Sequence, residues 1–221
     1  MGRLGVPGNL PVELSTFVGR ADDLERGARL LGESRLVAFT GAGGCGKTRL
    51  ARQVAARVAE RFPGGVWWVE LASLADGALV TDRVARTLGL QVGETEAVVD
   101  YLADSAALLL PDNCEHVVEG VAEFITAVLR GAGLIRVLAT SRHPLGVEGE
   151  TTWRVPSLAV PPQEADPATW DRFDAVRLFL ERARQARSGD PDAGGRTDLP
   201  SARRHSAGPG AGRGSGRRRR D

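Results

Sequence analysis

Eight consecutive residues near the amino end have the types and spacing that bind polyphosphate. They run from Gly41 to Thr48 and match the pattern Gly-x-x-x-x-Gly-Lys-Ser/Thr. Glycines let the backbone adopt positive φ and approach a ligand closely, and successive amides can then form a nest for an anion. In this pattern the lysine contacts the β- and γ-phosphates and the hydroxyl residue binds Mg²⁺. We therefore expect Lys47 to contact phosphate and Thr48 to bind the metal.

The flanks of this loop favour the same interpretation. Residues 35–40 predict a short buried strand, and residues 49–61 predict a helix whose N–H groups would add to the anion site. Lys47 is the only lysine in the chain, and a forked guanidinium is too bulky for a point charge in a tight loop. The alternative is a glycine-rich turn between strand and helix. The residues expected to bind nucleotide here are Gly41, Ala42, Gly43, Gly44, Cys45, Gly46, Lys47, Thr48 and Arg49.

A second candidate metal ligand is Asp112, which follows the apolar stretch 106–110. A carboxylate at the end of a buried strand lies at the edge where doubly wound sheets bind ligands. With a phosphate-binding loop upstream this is a Walker B arrangement, in which Asp112 holds Mg²⁺. The alternative is a loop aspartate that caps the next helix. Pro111 is unfavourable inside a central strand because it lacks an N–H, so we expect it to bend the strand and shift Asp112.

Two further polar residues are candidates for catalysis. Arg142 follows the predicted strand 134–139 and would contact the γ-phosphate; the alternative is a solvent-exposed arginine. Glu115 is a candidate general base, and its alternative role is a carboxylate at a helix start. Asn113 stands directly after Asp112, where a fast ATPase of this fold often has Glu. Because general-base catalysis is worth about 10²–10⁴-fold, we expect slow hydrolysis at most. The proposed catalytic residues are Lys47, Asp112, Glu115 and Arg142.

The pattern of elements along the chain predicts an α/β fold. Near-continuous apolar runs are typical of parallel strands buried on both faces, and amphipathic stretches separate them. We expect a P-loop NTPase with a five-stranded parallel sheet between helices, an N-terminal helix and a disordered C-terminal tail. The predicted strands are 35–40, 66–71, 134–139, 151–155 and, between the second and third of these, a strand that begins with the apolar stretch 106–110 and ends in Asp112. The predicted helices are 23–32, 49–61, 78–88, 94–105, 117–130 and 170–186.

Composition divides the chain into four segments. Residues 1–14 are rich in Gly and Pro and are predicted to be flexible, and residues 15–160 form the predicted nucleotide-binding domain. Residues 161–187 are interpreted as a linker and the first helix of an incomplete helical subdomain. Residues 188–221 have almost no large apolar side chain, so burial cannot offset their ordering entropy. This tail is interpreted as disordered; the alternative is that its arginines bind nucleic acid.

The composition of the whole chain excludes several classes. A net charge of +1 gives no strong field to select a partner. No run of about eighteen apolar residues is present, so we expect no membrane partner. Cys45 and Cys114 are the only two cysteines and form no disulfide framework, which favours a cytoplasmic location. A minor hypothesis is a redox switch between them.

Four stretches together resemble the STAND/NB-ARC class of signal-transducing ATPases, in particular the ATPase module of bacterial regulators with a LuxR-type or SARP-type DNA-binding domain. They are 17–20, 41–48, 108–116 and 137–142, and the resemblance covers about residues 9–186. It implies that Val18, Gly19 and Arg20 contact adenine and ribose, and that Arg142 occupies the family's sensor position. It also implies a switch between an ADP-bound closed form and an ATP-bound form that self-associates.

This chain departs from that pattern in three ways. Pro111 replaces the usual aliphatic residue, Cys45 replaces a small aliphatic one, and no helical, winged-helix or DNA-binding domain follows. DNA would then be bound only through a domain missing from this chain, which looks like a truncated or frame-shifted product. The leading hypothesis is an ATP/ADP-binding signal-transduction switch from a transcriptional regulator, with slow Mg²⁺-dependent hydrolysis. The alternatives are nucleic-acid binding through the arginine-rich tail and a non-functional fragment.

Overall fold

The computed structural model describes residues 6–13, 16–91 and 94–188. The predicted tail therefore lies outside the described residues, except for Ser188. The chain divides into two units, residues 1–181 and 182–221. The sheet and every feature discussed below belong to the first unit. Of the second unit the structure describes residues 182–188, which form the end of the last helix.

Five parallel strands form one sheet in the order β2-β3-β4-β1-β5, so the predicted α/β architecture is confirmed. β1 lies between β4 and β5, with Val37 opposite Leu138 on one side and Thr151 on the other. The carboxyl ends of β1, β3 and β4 therefore meet at one edge of the sheet. The strands are β1 Leu36–Thr40, β2 Val66–Glu70, β3 Leu108–Asp112, β4 Arg136–Thr140 and β5 Glu150–Arg154.

The α-helices of the described residues match the predicted ones in order but differ in their bounds. They are α1 Ala21–Glu33, α2 Lys47–Val58, α3 Val80–Thr87, α4 Thr95–Leu102, α5 Val118–Gly131 and α6 Asp174–Ser188. α2 begins two residues earlier than predicted, so that Lys47 and Thr48 belong to its first turn. Across the part of the chain that the structure describes, every helix is too short or too polar to cross a bilayer.

The core consists of two apolar clusters that share the sheet. Alternate strand residues point to opposite faces, and accordingly Val137 belongs to one cluster and Leu138 to the other. The first cluster includes side chains of α3, α4 and α5, and the second includes Leu31 of α1 and Leu50 of α2. Both faces are thus covered by helices, as a parallel sheet requires.

Pro111 lies inside β3, which ends at Asp112, as the sequence predicted. Pairing with β2 continues as far as Asp112, whereas pairing with β4 covers only Leu108 and Leu109. The Asp112 carbonyl faces β2 and accepts a hydrogen bond from Leu71, so the nitrogen of the preceding proline faces β4. The missing N–H therefore falls where the pairing with β4 has already ended, and the proline is accommodated in an internal strand.

Part of the N-terminal segment covers the outer edge of β2. The Val66 amide donates to the Pro7 carbonyl at 2.9 Å. The Asn9 carboxamide donates to the Trp68 carbonyl at 2.8 Å and accepts from the Trp68 amide at 2.7 Å. A Cβ on Gly8 would overlap the Val66 carbonyl oxygen, so this close approach needs a glycine. The side chain of Asn9 thus replaces a peptide group in pairing with the edge strand.

Candidate nucleotide-binding site

The loop between β1 and α2 has the backbone of an anion-binding nest. Three of its glycines have positive φ: Gly41 at 138°, Gly44 at 76° and Gly46 at 89°. Gly46 is the N-cap of α2 and provides no side-chain hydrogen bond to the helix amides. A Cβ on Gly41 would lie 3.1 Å from the Val155 carbonyl oxygen, so a side chain there is excluded by both conformation and space. The first-turn amides of α2 are therefore available to a ligand.

The single lysine is held inside this loop. Lys47 is 9% exposed, and its ammonium donates to the carbonyl oxygens of Gly41 at 2.9 Å and Ala42 at 3.0 Å. None of the ion pairs formed within the described ranges includes Lys47. A buried cation bonded only to neutral carbonyls favours an anion as its partner.

Thr48 and Asp112 meet at the carboxyl edge of the sheet. The Thr48 hydroxyl donates to Asp112 Oδ1 at 2.7 Å, and the Thr140 hydroxyl donates to the same oxygen at 2.5 Å. Thr140 also accepts a hydrogen bond from the Asn113 amide at 3.0 Å. Asp112 is 6% exposed. The two residues that the sequence proposed for the metal thus adjoin, and Pro111 does not separate them.

This corner suits a magnesium ion. Mg²⁺ is usually bound by one or two carboxylates together with water and substrate phosphates, not by a complete protein cage. One carboxylate and one hydroxyl beside a phosphate-binding loop fit that donor set. Consistently, no cluster of three or more His, Cys, Asp or Glu side chains occurs among the described residues.

Arg142 and Glu115 form an ion pair at the rim of the loop. Arg142 Nε donates to Glu115 Oε1 at 3.0 Å, and the Arg142 side chain is 61% exposed. One of its terminal nitrogens lies 3.8 Å from where a Cβ on Gly43 would be. Glu115 Oε2 is buried and has no hydrogen-bond partner among the residues described. The two candidates for catalysis are therefore brought together, with the carboxylate engaged by the guanidinium.

A cavity of about 310 Å³ adjoins the phosphate loop. Val18 and Arg20, which the resemblance assigned to adenine and ribose, line it, and so does Arg49. Gly19 instead packs against Asp174 at the start of α6. Ser157, Leu158 and Leu178 in the cavity wall could not be predicted, because they come from distant segments without a motif. The full lining is Phe17, Val18, Arg20, Gly43, Gly44, Cys45, Gly46, Arg49, Ser157, Leu158 and Leu178.

The glycine loop, the buried lysine and the aspartate at the strand end all lie within a region that matches a known family model. The model of the NB-ARC domain matches residues 23–142, more than half of the chain. The chain belongs to the NB-ARC family.

The curated relatives of this NB-ARC domain are longer proteins. An uncharacterized protein of Mycobacterium tuberculosis is 38% identical over 179 residues, which cover 79% of this chain and 43% of that protein. A second protein of the same organism, provisionally named an HTH-type transcriptional regulator, is 35% identical over 164 residues, or 72% of this chain and 17% of that protein. The chain thus spans less than half the length of these relatives.

A solved structure agrees with the fold. Cdc6p from Pyrobaculum aerophilum aligns with a TM-score of 0.53 at 16% identity, covering 83% of this chain and 52% of that chain. At this level of identity the likeness concerns the arrangement of strands and helices alone.

Two predicted ligands of the NB-ARC domain have their side chains engaged elsewhere. The Arg49 guanidinium lies 5.7 Å from the centre of the Phe17 ring and donates to the Thr16 carbonyl at 2.7 Å. The Cys45 thiol is buried beside Gly41, so this residue can offer a ligand its backbone only. Both residues border the cavity.

The second cysteine is a core residue. Cys114 is fully buried and its thiol lies 3.5 Å from the Pro111 carbonyl. Burial raises the pKa of this thiol far above its ordinary value, and the Asp112 and Glu115 carboxylates raise it further. Its surroundings therefore favour the protonated thiol over the reactive thiolate, and both cysteines are free.

Proposed function

We propose that this NB-ARC domain is an adenine-nucleotide switch that binds ATP or ADP with Mg²⁺ and hydrolyses ATP slowly. The observation that carries the proposal is the buried Lys47 ammonium, bonded to loop carbonyls and lying beside first-turn amides of α2. A buried cation and free amides around one glycine loop form a site for polyphosphate. The neighbouring cavity, walled partly by Phe17, Val18 and Leu158, would receive the adenine.

Each residue of the site has a specific role in this proposal. The loop amides of residues 41–46 and the Lys47 ammonium bind the β- and γ-phosphates. Thr48 and Asp112 orient the metal, and Thr140 fixes the Asp112 carboxylate by donating to it. A bound Mg²⁺ neutralises phosphate charge and holds the nucleotide in register with the loop. Arg142, at the rim beside Gly43, contacts the γ-phosphate and reports its presence.

Slow turnover follows from the state of the candidate bases. Asn113 cannot accept a proton, and its backbone is in the left-handed region with φ of 64°. Glu115 already accepts a hydrogen bond from Arg142 and must leave that pair before it can act as a base. A positioned general base contributes about 10²–10⁴-fold, so hydrolysis by this chain is slower than in NTPases that have one in place.

The name of one relative supports a wider role for the domain. One of them is provisionally named an HTH-type transcriptional regulator, and this chain corresponds to 17% of it. We propose that the nucleotide-binding unit spans residues 15–160, that residues 161–187 begin the next subdomain, and that the domain switches a regulator of LuxR or SARP type. Self-association in the ATP state and DNA binding through another domain belong to the same proposal.

Calorimetry on the purified chain tests the central point. Titration with ADP and with ATP, each with and without Mg²⁺, is expected to give saturable binding of one nucleotide per chain, tightened by Mg²⁺. GDP is the control for base recognition in the cavity. A sample that melts cooperatively and gives no heat with either adenine nucleotide would refute the proposed function.

A further inference from the structure

The residue that precedes α1 is conformationally unusual. Arg20 has φ of 59° and ψ of 28°, and it is one of two described residues other than glycine with positive φ. It stands at the N-cap of α1, but its side chain makes no capping hydrogen bond to the helix amides. A residue other than glycine keeps this backbone conformation only where its surroundings hold it in place. The surroundings of Arg20 therefore indicate what it does.

The Arg20 guanidinium is buried behind the phosphate loop. Its Nη2 donates to the Cys45 carbonyl at 2.7 Å and to the Pro156 carbonyl at 2.9 Å, and Nη1 lies 3.5 Å from Asp23. The side chain is 7% exposed. A single nitrogen thus joins the loop to the segment that follows β5. Gly19, the preceding residue, completes this junction by packing against Asp174 of α6.

The loop needs such an external contact because its own backbone is permissive. Cys45 lies between Gly44 and Gly46, which both have positive φ, and glycine tolerates many orientations of the adjoining peptide planes. The Cys45 carbonyl and the Gly46 amide belong to one planar trans peptide and point in opposite directions. A donor that holds the carbonyl on one side therefore directs the amide to the other.

We propose that Arg20 is a positioning residue of the phosphate loop: by holding the Cys45 carbonyl it directs the Gly46 amide at bound phosphate and couples the loop to the segment after β5. This inference rests on the proposed function and deepens it. It differs from the adenine and ribose contact that the resemblance implied, because both hydrogen bonds of Nη2 go to backbone carbonyls.

The test compares Arg20→Met and Arg20→Lys with Arg29→Met, a matched control at an exposed position of α1. Affinities for Mg²⁺-ADP and for Mg²⁺-pyrophosphate are measured by calorimetry. Arg20→Met is expected to weaken both by at least about tenfold, the loss typical of removing a hydrogen bond to a charged group. Arg20→Lys is expected to recover part of this loss, since it keeps the charge without the fork, and the control is expected to match the wild type.

Two outcomes would overturn the inference. If Arg20→Met weakens the binding of ADP but not that of pyrophosphate, Arg20 contacts the nucleoside. If neither affinity changes, Arg20 does not position the loop. Should Arg20→Met fail to melt cooperatively, the affinities of Arg20→Lys for the same two ligands replace it in the test. Full wild-type affinity of Arg20→Lys would refute the role of the forked guanidinium.

A second measurement needs no nucleotide, and so separates this inference from the proposed function. Amide hydrogen exchange of the unliganded chain is followed in peptides that cover residues 41–48. Loss of protection is expected in this loop for both Arg20 variants, with β1 and the Arg29→Met control unchanged. Unaltered exchange in the loop would contradict the positioning role, whether or not the chain binds ADP.

Discussion

The two ends of the sheet use the same interaction, a cation bonded to backbone carbonyls, for different purposes. At the carboxyl end, Lys47 donates to Gly41 and Ala42. At the amino end, Arg35 donates to the carbonyls of Leu129 at 2.9 Å and Ala132 at 2.5 Å. Arg136 does the same there for Leu31 at 2.6 Å and Ser34 at 2.8 Å. The donors are alike, but their acceptors belong to different kinds of structure.

The acceptors explain the difference in role. At the amino end they are carbonyls at or just beyond the carboxyl termini of α1 and α5, which no residue of the helix can satisfy and where the dipole favours positive charge. The arginines there complete regular elements. At the carboxyl end the acceptors lie in a glycine loop, and a phosphate can compete with them for the ammonium. We therefore propose that the acceptors, more than the donors, distinguish a stabilising cation from one that binds a ligand.

The largest predicted effect is at the carboxyl end. Lys47→Ala is expected to abolish the stabilisation by Mg²⁺-ADP, which for the wild type amounts to about 2.7 kcal/mol at a hundredfold excess over Kd. The variant alone should melt close to the wild type, because the ammonium bonds only to carbonyls of its own loop. Thermal melts with and without nucleotide measure both quantities. If nucleotide raised the melting temperature of Lys47→Ala as much as that of the wild type, the proposed difference in role between Lys47 and the arginines at the amino end would be wrong.

The corresponding substitution at the amino end should lower the stability of the fold and leave nucleotide binding unchanged. Arg35→Met removes a guanidinium that also approaches the Ile135 carbonyl at 3.4 Å. We expect a loss of about 2 kcal/mol in the free energy of unfolding, because hydrogen bonds to a charged group are removed from half-buried carbonyls. Urea denaturation measures this loss, and calorimetry at a temperature where the variant is folded should give wild-type ADP affinity. Weakened ADP binding with unchanged stability would reverse the assignment of the two ends.

The sequence predicted the parts of the site that depend on local spacing. Residues 41–48 were proposed because a strand, a turn and a helix start place such residues in a fixed local relation. Asp112 was proposed because it ends an apolar strand. The five-stranded parallel sheet was predicted from apolar runs for the same reason, and it is confirmed.

The remaining parts depend on which segments meet in space. Thr140 reaches Asp112 only because β4 lies beside β3, and strand order is not encoded by local pattern. Ser157, Leu158 and Leu178 join the cavity from beyond β5. The accommodation of Pro111 in β3 could not be predicted, because the sequence does not show which neighbouring strand the proline nitrogen faces.

Within the carboxyl end, metal binding can be separated from phosphate binding. Asp112→Asn keeps an acceptor for Thr48 and Thr140 but removes the negative charge that attracts Mg²⁺. We expect the increase in ADP affinity caused by Mg²⁺ to fall by about tenfold or more, while affinity without the metal stays the same or rises. Calorimetry in magnesium and in EDTA measures the ratio. An unchanged ratio would mean that the metal is bound without Asp112.

A smaller effect is predicted at the outer edge of β2, which lies away from both groups of cations. Asn9→Ala removes two hydrogen bonds to the backbone of Trp68. Because the position is exposed, water replaces part of this pairing, and we expect a loss of about 1 kcal/mol in the free energy of unfolding. Urea denaturation is the measurement, with unchanged ADP affinity as the companion result. Asn9→Asp keeps only the acceptor, and its free energy of unfolding is expected to lie between those of the wild type and Asn9→Ala.

The smallest effect is expected for Pro111→Val, which tests how far the carboxyl end tolerates an irregular strand. Valine restores an N–H that faces β4, but the pairing with β4 has already ended at this position, so no ladder bond is gained. Removing proline increases the entropy of the unfolded chain, at a cost of about 0.4–1 kcal/mol. We therefore expect the free energy of unfolding to fall by about 0.4–1 kcal/mol. Magnesium-dependent ADP binding should also be unchanged, since Asp112 already contacts Thr48 with the proline in place. Tighter magnesium-dependent binding in Pro111→Val would show instead that the proline holds the carboxylate away from its best position.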